Sequence, residues 1–163
     1  MGRSAAPRIF RNLLPVRNLA ASRRFYETLL GVRGRPVAVG RVYFDCGPVL
    51  LGLLDFGAGR RRAFGVAEEP IYFATSGLEA IHRRARRLRA LDPGRLHGDP
   101  ESPLGEIVRR PWGERSFYAS DPDGHRLCFV DARTLYTGTA AQIAALTRAT
   151  AESPPRRRPS RRR

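Results

Sequence analysis

The stretch Pro111–Asp131, PWGERSFYASDPDGHRLCFVD, decides the fold. Two strand-like runs, Arg115–Ser120 and Arg126–Asp131, flank Asp121-Pro122-Asp123-Gly124, whose turn chemistry is explicit. Pro122 pre-sets φ, the two aspartates fold back on local backbone N–H groups, and Gly124 accepts a positive φ. A β-hairpin is predicted. Val42–Leu54, VYFDCGPVLLGLL, reads the same way: strand, tight turn at Cys46-Gly47-Pro48, strand. Two such hairpins in a chain of 163 residues indicate an internal repeat.

Working outward from each hairpin finds the same succession of elements. Before the first, Ile9–Val16 reads as a strand and Asn18 as a helix N-cap. Leu19, Phe25, Tyr26, Leu29 and Leu30 follow at helical spacing, and Gly31 sits where a left-handed glycine ends a helix. Arg35–Val39 completes a β-α-β-β-β module. Before the second hairpin, Ile71–Thr75 reads as a strand and Leu78–Leu91 as a helix. Leu78, Ile81, Ala85, Leu88 and Leu91 form its buried stripe, while Arg83, Arg84, Arg86, Arg87 and Arg89 are expected in solvent. Asp92-Pro93-Gly94 stops it, and Glu106–Arg110 supplies another strand.

The expected fold is therefore α+β, with paired βαβββ modules forming a curved mixed sheet around a cavity and the helices outside. Residues 1–8 are expected to be flexible. The domain runs over 9–131, with module one at 9–55, a linker at 56–69 and module two at 70–131. An extension with a short helix (132–152) and a disordered arginine-rich tail (153–163) complete it. A sheet covered by one helix leaves its other face open, and the hollow between two such faces is the default place for a small ligand.

Composition narrows the class. The chain carries 30 basic residues, all arginine, against 15 acidic ones, for a net charge of +15. The tail RRRPSRRR cannot bury enough apolar surface to order itself, and weak non-specific contact with nucleic acid is the one partner it suggests. Gly57 and Gly59 sit in no phosphate-loop motif. No apolar run approaches the roughly 20 residues of a membrane span, and Met1–Arg8 lacks an apolar leader, so a cytoplasmic protein is expected. Cys46 and Cys128 form no metal-ligand spacing. His82, His97 and His125 are all expected at the surface.

Two motifs carry a resemblance. Val16-Arg17-Asn18-Leu19-x-x-Ser22-x-x-Phe25-Tyr26 with Leu30-Gly31 is similar to the opening signature of the vicinal oxygen chelate superfamily. That group contains glyoxalases, extradiol dioxygenases, fosfomycin-resistance enzymes and bleomycin-resistance proteins. Ser116-Phe117-Tyr118-x-x-Asp121-Pro122-Asp123-Gly124-x-x-Leu127-x-Phe129-Val130 resembles its closing hairpin. The resemblance implies a homodimer and, in the enzymes, a metal held by His, Glu or Gln on inward-facing strand positions. Counted from the motifs, those positions fall here on Arg11, Leu51, Pro70 and Cys128; a shift by one brings in Asn12 or Glu69. A guanidinium repels a divalent cation, and Leu and Pro donate nothing to one.

The expectation is thus a metal-independent small-molecule-binding protein, with no cofactor and an anionic or aromatic ligand. Arg11 suits a carboxylate or phosphate, and Trp112 suits a planar group. Leu51, Arg115 and Cys128 complete the candidate ligand-binding set. Strand alternation puts Tyr118 on the face opposite Arg115. Glu114 and Arg115 read as a pair that fixes the turn. So basic a chain is an electrostatic mismatch for a cationic drug. The alternatives are a metal-dependent glyoxalase-like lyase, isomerase or dioxygenase, and a nucleic-acid-associated protein acting through its tail.

Overall fold

The computed structural model describes residues 7–55, 65–67 and 69–152. The glycine-arginine stretch 57–62, the arginine tail and residues 1–6 lie outside the described residues. Two β-α-β-β-β modules follow one another. Module one contains β1 (Arg11–Val16), α1 (Leu19–Leu30), β2 (Arg35–Ala38), β3 (Arg41–Cys46) and β4 (Val49–Asp55). Module two contains β5 (Ile71–Thr75), α2 (Leu78–Arg87), β6 (Val108–Arg109), β7 (Arg115–Ser120) and β8 (Arg126–Asp131). A last helix, α3 (Ala140–Glu152), comes after both. No helix among the described residues is long and apolar enough to cross a membrane.

Both modules have the same strand order, β1-β4-β3-β2 and β5-β8-β7-β6, with the first strand parallel to the last. The expected single curved sheet is instead two four-stranded sheets. The helix-side faces nevertheless merge into one core. Phe25 and Leu29 from α1 join Ile81 and Ala85 from α2, with Phe44, Leu51, Phe117 and Phe129 beneath them. Each such buried side chain contributes roughly 1.5–3 kcal/mol.

Local chemistry explains the boundaries. Asn18 caps α1 by accepting from the Ala21 N–H at 2.9 Å, and Gly31 ends it at φ 74° with its N–H on the Glu27 carbonyl. Helix α2 stops at Arg87, earlier than its apolar stripe suggests. Arg89 turns left-handed at φ 55°, its N–H bonds Arg86 O, and the Ala90 N–H bonds Ala85 O. That is a Schellman ending with arginine where glycine is usual. The strand expected over Glu106–Arg110 shortens to Val108–Arg109, because Arg110 turns inward and Pro111 offers no N–H.

The two signature motifs meet each other. Tyr26 Oη donates to Asp121 Oδ2 at 2.8 Å, and Ser22 Oγ donates to Asp123 Oδ2 at 3.2 Å. The Arg17 N–H reaches Asp123 Oδ1 at 3.1 Å, and His125 Nε2–H reaches the Pro15 carbonyl at 2.7 Å. The turn of module two is thus clasped to the first strand and helix of module one. His125 is buried, contrary to the surface position expected, because its imidazole satisfies a carbonyl of the other module. His82 is buried too, with Nε2–H on Gly105 O at 2.9 Å and its ring edge-on to Phe117. His97 is exposed.

A candidate anion site on the open face of module two

Residues directly opposed across a ladder point to the same side of a sheet. In module two, Cys128 opposes Tyr72 on one neighbour and Tyr118 on the other. These three, with Val130, Ser116 and Arg126, form the face turned away from α2. In module one the corresponding face carries Arg11 and Leu50, then Leu13, Gly52 and Tyr43.

This register redistributes the candidate residues. Leu51 opposes Phe44, points to the helices and is 3% exposed, so it lines the core and not the open face. The count from Gly47 was displaced by one; Leu50 and Gly52 hold the open-face places. Arg115 also lies on the helix side, opposite Asp131, where it pairs with Glu79 at 2.6 Å and Asp131 at 3.5 Å. Glu114 does not pair with it: its oxygens accept from Trp112 Nε1 at 2.6 Å and from the Tyr136 N–H at 2.9 Å. Pro70 precedes β5, and Tyr72 takes the place opposite Cys128.

Arg11 is on the open face of module one. Its Nη1 donates to Tyr43 Oη at 2.8 Å, and its guanidinium lies over the Phe10 and Tyr43 rings at 5.2 and 5.5 Å. Gly52 makes room for this arrangement, since a Cβ there would collide with Leu13 and Tyr43. Trp112 and Cys128 belong to module two, so the structure gathers two of the five candidates there and leaves Arg11 apart with Tyr43. Cys128 is fully buried beneath the tyrosines, and burial pushes its thiol up to about 11. Burial, with Cys128 and Tyr72 as neighbours, raises the Tyr118 hydroxyl as well.

The residues that give this face its chemistry are Tyr72, Tyr118, Arg126 and, behind them, Arg110. Arg110 is 1% exposed, and the acceptors that surround it are neutral. Its Nε donates to Ser116 Oγ; Nη1 donates to Ser102 Oγ and Pro103 O; Nη2 donates to Leu104 O and Ser116 O. Burial lowers its pKa, yet a guanidinium stays charged at any physiological pH. It has no carboxylate partner among the described residues. Its charge lies 5.2 Å from the centre of the Tyr118 ring, and Arg126 lies 5.9 Å from the same ring.

In front of Tyr118 and Trp112 is a hollow of about 390 Å³, bordered by Arg95, His97, Arg126, Leu104 and Glu69. Alternation from Cys128 finds Tyr72 and Tyr118. Nothing in the sequence distinguishes Arg110 from the other arginines.

The open-face strand positions do not fit a divalent cation. Arg11, Leu50, Tyr72 and Cys128 offer one cation, one hydrocarbon, one phenol and one buried thiol, not a set of hard donors. Among the described residues no three His, Cys, Asp or Glu side chains come together to hold one.

Solved structures share this architecture. Lactoylglutathione lyase from Agrobacterium tumefaciens is 20% identical, with a TM-score of 0.56 over 80% of this chain and 97% of that one. The oxidase ChaP-H2 is 22% identical, with a TM-score of 0.58 over 83% and 98%. A glyoxalase/bleomycin resistance protein/dioxygenase from Nocardioides is 24% identical, with a TM-score of 0.55 over 85% and 90%. At these identities the likeness is one of fold. The comparison with curated proteins gives no match. The family comparison matches residues 8–129, both modules with their clasp, and by it the chain belongs to the glyoxalase/bleomycin resistance protein/dioxygenase superfamily.

Proposed function

We propose that this protein binds a small anionic ligand on the open face of module two without calling on a metal ion. The observation that supports it best is Arg110, a buried cation answered by neutral acceptors and set directly behind Tyr118. A buried charge of this kind raises the potential of the hollow in front of it, where the low dielectric lets it act over several ångströms. Arg95 and Arg126 at the rim add to that potential, and Tyr72, Tyr118 and Trp112 offer planar surfaces to an aromatic group.

Calorimetric titration with benzoate and with benzamidine, which differ in the sign of the charge on one ring, tests the reading. Benzoate is expected to saturate one site, and Arg126→Met to weaken it about tenfold, the equivalent of one charge-assisted hydrogen bond. Equal binding of benzamidine would overturn the reading. So would a stoichiometric transition metal in protein purified without chelators, if its removal abolished binding.

A further inference from the structure

Tyr72 and Trp112 border a second hollow besides the one in front of Tyr118. It measures about 580 Å³ and is walled by Ala74, Val130, Leu135 and Tyr136. Its carboxylate, Glu114, already accepts from Trp112 and from the Tyr136 N–H, so the polar group in this lobe is committed to the protein. The first hollow carries Arg95, His97 and Arg126 against the single carboxylate of Glu69. Two compartments of opposite character therefore adjoin across one aromatic wall.

Resting on the anion site proposed above, we infer that the ligand is an amphipathic carboxylate. Its carboxylate occupies the arginine lobe, and its hydrocarbon or aromatic portion crosses Trp112 into the lobe beneath Leu135 and Tyr136. Neither compartment explains the other alone. A bare anion would leave the apolar lobe in contact with water, and an uncharged hydrocarbon would leave the arginine lobe unanswered. Tyr72 and Leu135 are 56% and 36% exposed, so a tail laid across them removes apolar surface that folding has left open.

Trp112 is the one tryptophan of the chain and stands in the dividing wall, so its fluorescence reports occupancy of either lobe. Three probes separate the contributions: acetate (head alone), 1-octanol (tail alone) and octanoate (both). Octanoate is expected to change the emission saturably, at least about tenfold more tightly than either fragment, a difference of about 1.4 kcal/mol. Arg126→Met should bring octanoate down to the level of octanol, and Leu135→Ser should move it toward acetate. Both side chains reach solvent, so neither change disturbs the core, and the unchanged melting temperature of each variant checks this.

Octanoate and acetate binding equally would overturn the amphipathic ligand while leaving the anion site standing. Octanol equalling octanoate, or no probe binding, would overturn both.

Discussion

Tyr26 and Asp121, 95 residues apart, are joined by a hydrogen bond of 2.8 Å between the helix of one module and the turn of the other. Asp121 Oδ1 at the same time accepts from the N–H groups of Asp123 and His125. One carboxylate thus shapes its own turn and docks it. Burial raises the Asp121 pKa in spite of these bonds, and burial with Asp121 nearby raises that of Tyr26.

Tyr26→Phe is the clean test of the clasp. It keeps the ring that packs edge-on against Phe25 at 5.3 Å and removes only the donor. A buried carboxylate oxygen losing its partner costs about 1.5–3 kcal/mol. Urea unfolding should show that loss as a lower midpoint with an unchanged slope. A variant as stable as the parent would mean that water replaces the hydroxyl.

Arg89→Gly should stabilise. Arg89 holds φ 55° at the end of α2, a region in which a side chain is strained and glycine is not. The expected gain is about 1 kcal/mol, or roughly 2–4 °C in melting temperature for a chain of this size. Gly31→Ala should do the opposite. Gly31 holds φ 74° at the end of α1, and the Arg84 guanidinium lies against it.

Acid should destabilise the protein partly through Asp131. Hydrogen bonds from Arg133, aided by Arg115, hold its carboxyl well below the usual carboxylate range. A carboxyl depressed on folding stabilises fully above its unfolded pKa, about 3.9, and that contribution is lost as the pH falls below it. Unfolding free energies between pH 6 and pH 2.5 should fall less steeply in Asp131→Asn than in the parent. Parallel profiles would show that the Arg133 pair does not persist in solution.

Cys128 should be inert. With its thiol pushed up to about 11 and its sulfur covered, the thiolate that reacts is scarce at neutral pH. A disulfide reagent at pH 8 should leave it untouched in the native protein and label it rapidly in guanidinium. Cys46, half-buried and also raised by burial, should react slowly in the native state. Fast native labelling of Cys128 would mean that the tyrosines above it open.

How much of this the sequence discloses depends on the kind of information. The caps at Asn18 and Gly31 and the turn at Asp121–Gly124 are local, carried by the residues themselves, and they appear where their chemistry puts them. Strand alternation places Cys128, Tyr118 and Arg115 on the correct sides. It fails at Leu51, because the side of a strand reverses with a displacement of one residue and only pairing with β1 fixes the register. It fails for His82 and His125 because both bury their imidazoles against carbonyls distant in sequence. Arg110 escapes for a related reason. Its seclusion comes from four residues (Ser102, Pro103, Leu104 and Ser116) that only the folded loop brings round it.

The two sheets have a mechanical consequence. Where a ladder runs unbroken through a sheet, main-chain spacing dictates the angle between its halves, and side chains have little say. Here the described strands form separate ladders, so the set of one half on the other is fixed by helix contacts and by the few polar links around Asp121. A single substitution at that joint is then able to alter how the halves are tilted while leaving every strand intact.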